Sequence, residues 1–177
     1  IARISRRNAS LASSSSLTGG HRTARRERRT RRLPGPRRWT MLAPMTAIPE
    51  SHRYLLDAPV ATLSTIGPDG RPQSTVLWFA ADGDTVKLSL HPARQKTKNL
   101  IANPVASLLI LDVENTGKYL ELRGDVTIEP DPDYAFADAF VTKKYGLDLR
   151  VIDGDTAGQR VVVTLRPTRV NAVDMGR

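Results

Sequence analysis

The sequence of 177 residues has no cysteine, few aromatic residues and no long apolar run. The absence of cysteine excludes a disulfide-stabilised scaffold, a thiolate metal site and a cysteine nucleophile. Aromatic residues make up only 5% of the chain, so few side chains are available to stack on nucleic-acid bases. No apolar stretch approaches the roughly 20 residues that cross a bilayer. We therefore expect a cytoplasmic protein with neither a nucleic-acid nor a membrane partner.

The usual catalytic arrangements are also missing. The three histidines, His21, His52 and His91, show no metal-ligand spacing, and we expect each to be a surface or capping residue. No glycine-rich phosphate loop is present, and no serine lies in a nucleophile-elbow context. The sequence therefore predicts no metal site and no hydrolase triad.

Residues 1–44 form an arginine-rich leader. It contains twelve arginines, no lysine and one acidic residue, Glu27, whereas the rest of the chain is slightly acidic. Its composition cannot bury enough apolar area to order it, so we expect disorder. Three interpretations remain: an arm for nucleic acid or membrane surfaces, an organelle transit peptide, or translated upstream DNA with true initiation at Met45 or Met41. We favour the third and expect residues 45–177 to be the functional domain.

Alternating polar and apolar residues predict a three-stranded antiparallel meander after a short helix at residues 48–56. Two turn sequences, at residues 67–70 and 82–84, separate the strands. The predicted strands cover residues 60–66, 73–80 and 86–90.

The second half of the chain predicts three further strands and two helices. The stretch at residues 105–113 is almost entirely apolar, which is typical of a strand covered on both faces. The other strands are predicted at residues 118–128 and 160–165, the last with an extension to Val173. Helices are predicted at residues 94–102 and 132–145, the second ended by Gly146. Six strands at hairpin spacing favour a small antiparallel barrel over a βαβ fold.

The densest group of polar and charged residues lies where the strand 86–90 gives way to a helix. Residues 91–99 read His-Pro-Ala-Arg-Gln-Lys-Thr-Lys-Asn. The first turn of a helix carries unpaired N–H groups and the positive end of the dipole, so Arg94, Lys96 and Lys98 are unfavourably placed there. A bound phosphate or carboxylate would reconcile the arrangement. The alternative is a solvated helix whose basic residues face water.

Three segments together resemble the pyridoxamine 5′-phosphate oxidase-like split β-barrel superfamily. They are the turn DGRPQ at residues 69–73, RQKTKNL at residues 94–100, and Asn103-Pro104 before an apolar strand. The Arg-x-Lys-x-x-Asn pattern is similar to that of the deazaflavin (coenzyme F-420)-dependent reductases. The resemblance implies a mainly β fold of the FMN-binding split-barrel type: a six-stranded antiparallel split β-barrel with a few short helices.

The resemblance also implies a cofactor site at a homodimer interface. Arg94, Lys96 and Asn99 would bind the cofactor phosphate, and Ser89 at the end of the preceding strand would join them. Flavin-type members often carry a Ser-Arg-Lys motif, whereas Gln95 precedes Lys96 here. We therefore expect F-420, with FMN as the alternative.

Other site residues follow from the same resemblance. Gln73 would lie alongside the cofactor, and the backbone from Val76 to Trp78 would border its ring, with Trp78 as a stacking or wall residue. No acid or base can be assigned, and Tyr119, His91 and Ser64 are candidates by residue type only.

Three functions remain open. The first is an F-420-dependent oxidoreductase that transfers a hydride to or from an unidentified small organic substrate. The second is an FMN-binding oxidase or reductase, and the third is a non-enzymatic flavin-, deazaflavin- or tetrapyrrole-binding protein. The sequence also supports a homodimer independently of the resemblance. Residues 105–113 and 119–128 have more apolar strand surface than one small barrel can bury.

Overall fold

The structure is a computed structural model that describes residues 44–156 and 158–176. The predicted leader, except Pro44, lies outside the described residues, as does the alternative start Met41. The assignment of residues 1–44 therefore stays a prediction.

Seven strands form one antiparallel sheet around an apolar core. The strands are β1 (Ala61–Ile66), β2 (Pro72–Leu77), β3 (Ala80–Asp82), β4 (Thr85–Leu90), β5 (Val105–Leu111), β6 (Lys118–Pro130) and β7 (Val161–Asp174). They follow the order β2-β1-β5-β6-β7-β4-β3. The predicted mainly β class and the extension of the last strand are thus confirmed.

The sheet has seven strands where six were predicted, and the three-stranded meander predicted at residues 60–90 is not formed. Residues 73–80 do not form one strand, because the chain leaves β2 at Trp78 and Phe79 and starts β3 at the opposite edge of the sheet. β2 pairs only with β1, and β3 pairs with β4. Alternation shows that a segment is extended, but it does not show which neighbour it pairs with.

Leucines, together with some Ile, Val and Phe residues, fill the core from alternate positions of the strands. Leu63, Leu88, Leu108 and Leu122 are almost completely buried, as period-two alternation requires. The expectation that residues 105–113 are covered on both faces is wrong for the single chain, since Leu109 and Leu111 of β5 are exposed.

The helices are short and lie between strands. The short helix predicted at residues 48–56 is a 3₁₀ helix that spans Glu50–Asp57, and α1 spans Gln95–Ala102, close to prediction. The long helix predicted at 132–145 is broken into 3₁₀, α and π turns, although Gly146 ends it with φ 67°, as expected.

We call residues 131–160 the β6–β7 connection. Its backbone has positive φ values at Asp133 and Tyr134, and it contains a further helix, Leu149–Asp153, that the sequence analysis did not predict. The buried Asp131 carboxylate accepts hydrogen bonds from the backbone N–H groups of Phe136 (2.8 Å) and Ala137 (3.0 Å). A separate apolar cluster within the connection comprises Tyr134, Ala137, Phe140, Val141 and Leu149.

Candidate functional site

A pocket of about 410 Å³ lies between the sheet, the start of α1 and the β6–β7 connection. Its walls are mostly apolar, with polar side chains contributed by β4, the turn before α1, α1 itself and the end of the β6–β7 connection. The lining residues are Val60, Val76, Leu77, Trp78, Ser89, Leu90, His91, Arg94, Lys96, Phe140, Val141, Leu149, Ile152 and Arg160. An apolar cleft with a few convergent polar groups is the usual form of a small-molecule site.

The structure brings together five of the seven residues predicted from sequence. Val76, Trp78, Ser89, Arg94 and Lys96 all line this pocket. The Trp78 ring also stacks on the ring of Tyr145, with centroids 5.0 Å apart. The tryptophan is therefore held as a wall of the pocket.

The other two predicted residues, Gln73 and Asn99, lie outside this pocket and bond to each other. The buried Asn99 amide donates to Gln73 Oε1 (2.9 Å) and to Thr65 Oγ1 (3.0 Å), and it accepts from Gln95 Nε2 (2.8 Å). Both N–H groups of Asn99 are thus engaged, and the residue ties α1 to β1 and β2.

Arg94 and Lys96 form a group of cations without an acidic partner. Arg94 is the residue before α1, and the first turn of the helix contains no acidic residue. Within residues 44–156 and 158–176, no salt bridge involves either side chain. Burial, together with the charge of Arg94, lowers the pKa of the half-buried Lys96. An anion at this end of the pocket would neutralise the positive charges of Arg94 and Lys96. It would also accept hydrogen bonds from the N-terminal N–H groups of α1.

Arg160 and Asp153 were missed by the sequence analysis. The Arg160 guanidinium donates to the Asp153 carboxylate through Nε (2.7 Å) and Nη2 (2.8 Å), and its Nη1 donates to the carbonyl oxygen of Ser89 (3.1 Å). The side chains of Arg160 and Asp153 are only 10% and 6% exposed. The pair therefore joins the β6–β7 connection to β4 beside the pocket.

Tyr134 completes this group. Its hydroxyl donates to Asp153 Oδ2 (2.9 Å) and accepts from the backbone N–H of Gly158 (2.9 Å). Burial acts to raise the pKa of Asp153, but the hydrogen bonds from Arg160 and Tyr134 outweigh it and keep the pKa below the ordinary value. No sequence motif signals these contacts, since Tyr134, Asp153 and Arg160 meet only through the fold.

His91 is buried and therefore not a surface residue, and it bonds within the turn that precedes α1. Its Nδ1 accepts from the backbone N–H of Ala93 (3.1 Å), and its carbonyl oxygen accepts from Thr97 Oγ1 (2.9 Å). His52 is buried as well, with Nε2 3.0 Å from the carbonyl oxygen of Val173.

Of the three residues considered as acid or base by type, only His91 lines the pocket. Ser64 Oγ lies 2.9 Å from Ser74 Oγ on the strand pair β1–β2. Tyr119 lies on β6, in register with Leu111 of β5 and Val173 of β7. The structure does not bring these two side chains to the lining of the pocket.

Metal binding and membrane spanning find no support in the described ranges. No group of three or more His, Asp or Glu side chains there could hold a metal ion. No helix in that part of the chain is both long enough and apolar enough to span a membrane.

Comparison with known proteins gives consistent matches over the described region. The model of the pyridoxamine 5′-phosphate oxidase family matches residues 48–174. A solved F420 reductase is 37% identical, with a TM-score of 0.63, over 70% of this chain and 98% of its own. No curated protein matches the chain.

Two more distant structures share the fold. A conserved hypothetical protein from Mycobacterium tuberculosis is 24% identical, with a TM-score of 0.57, over 76% of this chain and 90% of its own. A heme binding protein from Mycobacterium smegmatis is 22% identical, with a TM-score of 0.56, over 75% of this chain and 57% of its own. At these identities the likeness is one of fold alone.

Proposed function

The chain belongs to the pyridoxamine 5′-phosphate oxidase family, and from that premise we propose that it is an F-420-dependent oxidoreductase. Family membership confirms the resemblance and the split β-barrel class, with seven strands in place of six. The proposed reaction is hydride transfer between the deazaflavin and a small organic substrate.

The observation that carries the proposal is the pair of unneutralised cations at one end of an otherwise apolar pocket. Arg94 and Lys96 would hold the cofactor phosphate, with Ser89 beside them. The choice of F-420 is supported by the 37% identity to an F420 reductase, which extends over nearly the whole of that protein.

The residues present fit such a group. A volume of about 410 Å³ is within the usual range for small-molecule sites. Trp78 and the backbone from Val76 would border the ring, while Val141 and Leu149 of the β6–β7 connection would keep water from it. F-420 supplies the hydride chemistry when bound, and the protein supplies binding, orientation and exclusion of water.

Asn99 and Gln73 have a different role in this proposal from the one the sequence analysis gave them. Because the Asn99 amide is fully engaged with Thr65, Gln73 and Gln95, we assign it to holding the start of α1 against the sheet. Its loss would then misplace Lys96 without removing a direct cofactor contact.

A homodimer is part of the proposal. Val76, Leu109, Leu111 and Val113 leave apolar side chains exposed, with Val76 64% and Val113 78% exposed. Val76 lines both the cofactor pocket and an adjacent apolar groove. A second copy on that groove would bury the exposed strip and also border the cofactor pocket. Light scattering on the full chain tests this, and a monomer at micromolar concentration would contradict it.

An FMN-dependent oxidoreductase is the second candidate. The family match is to pyridoxamine 5′-phosphate oxidase, and the cations at Arg94 and Lys96 would neutralise the phosphate of either cofactor. The two candidates differ in which ring the apolar walls accept, which a direct titration decides.

The test is a fluorescence anisotropy titration of the full chain with F-420 and with FMN. We expect micromolar F-420 binding that weakens about 10- to 100-fold in Lys96→Ala, the loss of one charge-assisted hydrogen bond. Lys98→Ala is the matched control, since Lys98 lies on the same helix, is exposed and does not line the pocket. Tight FMN binding without F-420 binding would select the second candidate, and an equal loss in Lys98→Ala would reject the site.

A further inference from the structure

The ring of His91 has one nitrogen satisfied and one unsatisfied. The residue is 8% exposed and lines the pocket. Across the described residues, its Nε2 is the buried side-chain polar atom that lacks a hydrogen-bond partner. Leaving a buried donor or acceptor unpaired is unfavourable, so such an atom calls for an explanation.

The contact at the other nitrogen fixes the protonation pattern of the ring. Nδ1 accepts from the backbone N–H of Ala93 (3.1 Å), so in the neutral ring the proton resides on Nε2. The atom without a partner is therefore a donor, and no acceptor among the described residues lies within hydrogen-bond distance of it.

The charges around His91 select the kind of acceptor. Arg94 and Lys96 line the same pocket without a carboxylate partner, whereas the positive charge of Arg160 is matched by Asp153. The backbone also places His91 at the start of α1, since its carbonyl oxygen accepts from the N–H of Arg94 (3.1 Å). An anionic oxygen at this end would satisfy Nε2–H and offset the charges of Arg94 and Lys96 together.

We propose that His91 binds the cofactor directly, with Nε2–H donating to a phosphate oxygen while Nδ1 caps the turn before α1. This inference rests on the proposed function, because it needs a phosphate-bearing ligand in this pocket. His91 is then a ligand-binding residue whose two nitrogens have separate tasks, one structural and one in recognition.

Two substitutions separate these tasks. In His91→Asn the side-chain oxygen can take the place of Nδ1 and accept from Ala93, but nothing reaches the position of Nε2. In His91→Gln a longer amide can place an N–H near the position of Nε2, but the contact with Ala93 is lost. The proposal therefore predicts opposite patterns of affinity and stability for the two variants.

The experiment measures F-420 binding and thermal unfolding for both variants and for Lys96→Ala. We expect His91→Asn to lower affinity about 10- to 100-fold with an unchanged Tm, and His91→Gln to keep most of the affinity with a lower Tm. On wild-type protein, ¹⁵N-labelled histidine should show a change of the Nε2–H signal on adding F-420 and on adding inorganic phosphate, with Nδ1 unprotonated throughout.

The outcomes distinguish this inference from the proposed function. If wild type binds F-420 and Lys96→Ala weakens it, but His91→Asn does not, the function stands and the role of His91 is rejected. If wild type binds neither F-420 nor FMN, both are rejected. If His91→Asn does not fold, the Nε2 signal of wild type decides. An Nε2–H signal that does not change when phosphate is added also overturns the proposal. Binding of haemin with Nε2 coordinated to the iron would do the same.

Discussion

The sheet and the β6–β7 connection line the same pocket but are held together differently. β6 pairs with β7 over thirteen residue pairs, and alternate side chains of both strands enter the core. The connection has a broken helical backbone fixed by individual side chains, such as Asp131 on two N–H groups and Arg150 on Asp138 (2.7 Å). Backbone ladders resist local change, whereas a segment held by single polar contacts opens when one contact is lost.

The two regions contribute different side chains to the pocket. The residues that we propose to bind the cofactor, Ser89, His91, Arg94 and Lys96, lie between the end of β4 and the first turn of α1, while Phe140, Val141, Leu149 and Ile152 of the connection line its apolar part. We infer that changes in the sheet affect global stability first. Changes in the connection should affect access to the pocket first.

The largest contrast is expected between two glycines. A Cβ on Gly124, at the register shift of β6, would overlap the carbonyl oxygen of Arg166 and lie 2.9 Å from Pro167 Cα, all backbone of β7. We expect Gly124→Ala to lose more than about 4 kcal/mol and to yield little folded protein. Gly146→Ala in the connection meets open space at φ +67°, so we expect a cost of about 1–2 kcal/mol. Circular dichroism melts measure both, and equal losses would contradict the comparison.

A matched pair of leucines gives the next effect. Leu108 of β5 is 0% exposed and Leu149 of the connection is 3% exposed. We expect Leu108→Ala to lower the free energy of global unfolding by about 2–5 kcal/mol. Leu149→Ala should lower it less but speed hydrogen exchange within residues 131–156. Urea unfolding and exchange mass spectrometry distinguish these results, and uniform exchange in both variants would show a single cooperative unit.

Asp153→Asn should detach the connection from β4, because Asp153 holds the Arg160 guanidinium that donates to the carbonyl oxygen of Ser89. The substitution keeps the volume but leaves the Arg160 guanidinium without its charged partner, which we expect to cost about 1–3 kcal/mol locally. The pKa of Asp153 is lowered in the folded state, so its contribution is complete above the unfolded value near 3.9 and is lost as pH falls through the folded value. Proteolysis of the connection should thus rise in Asp153→Asn at pH 7, and in wild type only in acid. An Asp153→Asn variant as resistant as wild type at pH 7 would refute the attachment.

The smallest effect at neutral pH concerns Lys96. Burial and the charge of Arg94 lower its pKa, and only the ammonium form attracts an anion. Affinity for F-420 should therefore be flat below the lowered pKa and fall above it, at a pH below that of an ordinary lysine. Lys96→Arg should abolish the decline, since a guanidinium stays protonated. An alkaline decline that persists in Lys96→Arg would assign it to another group.

The sheet was easier to predict than the connection for a physical reason. Period-two alternation located β1, β4 and β6 to within a few residues, because burial of one face of a strand requires apolar residues at every second position. The connection has no such periodic pattern. Its turns depend on Asp131 accepting two N–H groups and on left-handed backbone at Asp133 and Tyr134, which no periodicity encodes.

The residues of the candidate site also differ in how far the sequence alone predicts them. Arg94 and Lys96 could be found from sequence because cations at the start of a helix are locally unfavourable and call for an anion. Asn99 belongs to the same segment, but its amide is engaged with Thr65 and Gln73. Only the packing of α1 on the sheet determines which way each side chain of that helix turns.

The local order of residues was enough to determine most of the strand segments, the turn glycines and the charged start of α1, since each depends on neighbours within a few positions. Tertiary structure alone decided that β2 and β3 part to opposite edges, that Arg160 meets Asp153 beside Ser89, and that His91 is buried with one nitrogen unsatisfied. Those features depend on contacts between distant segments, which form only when the whole sheet closes on its core.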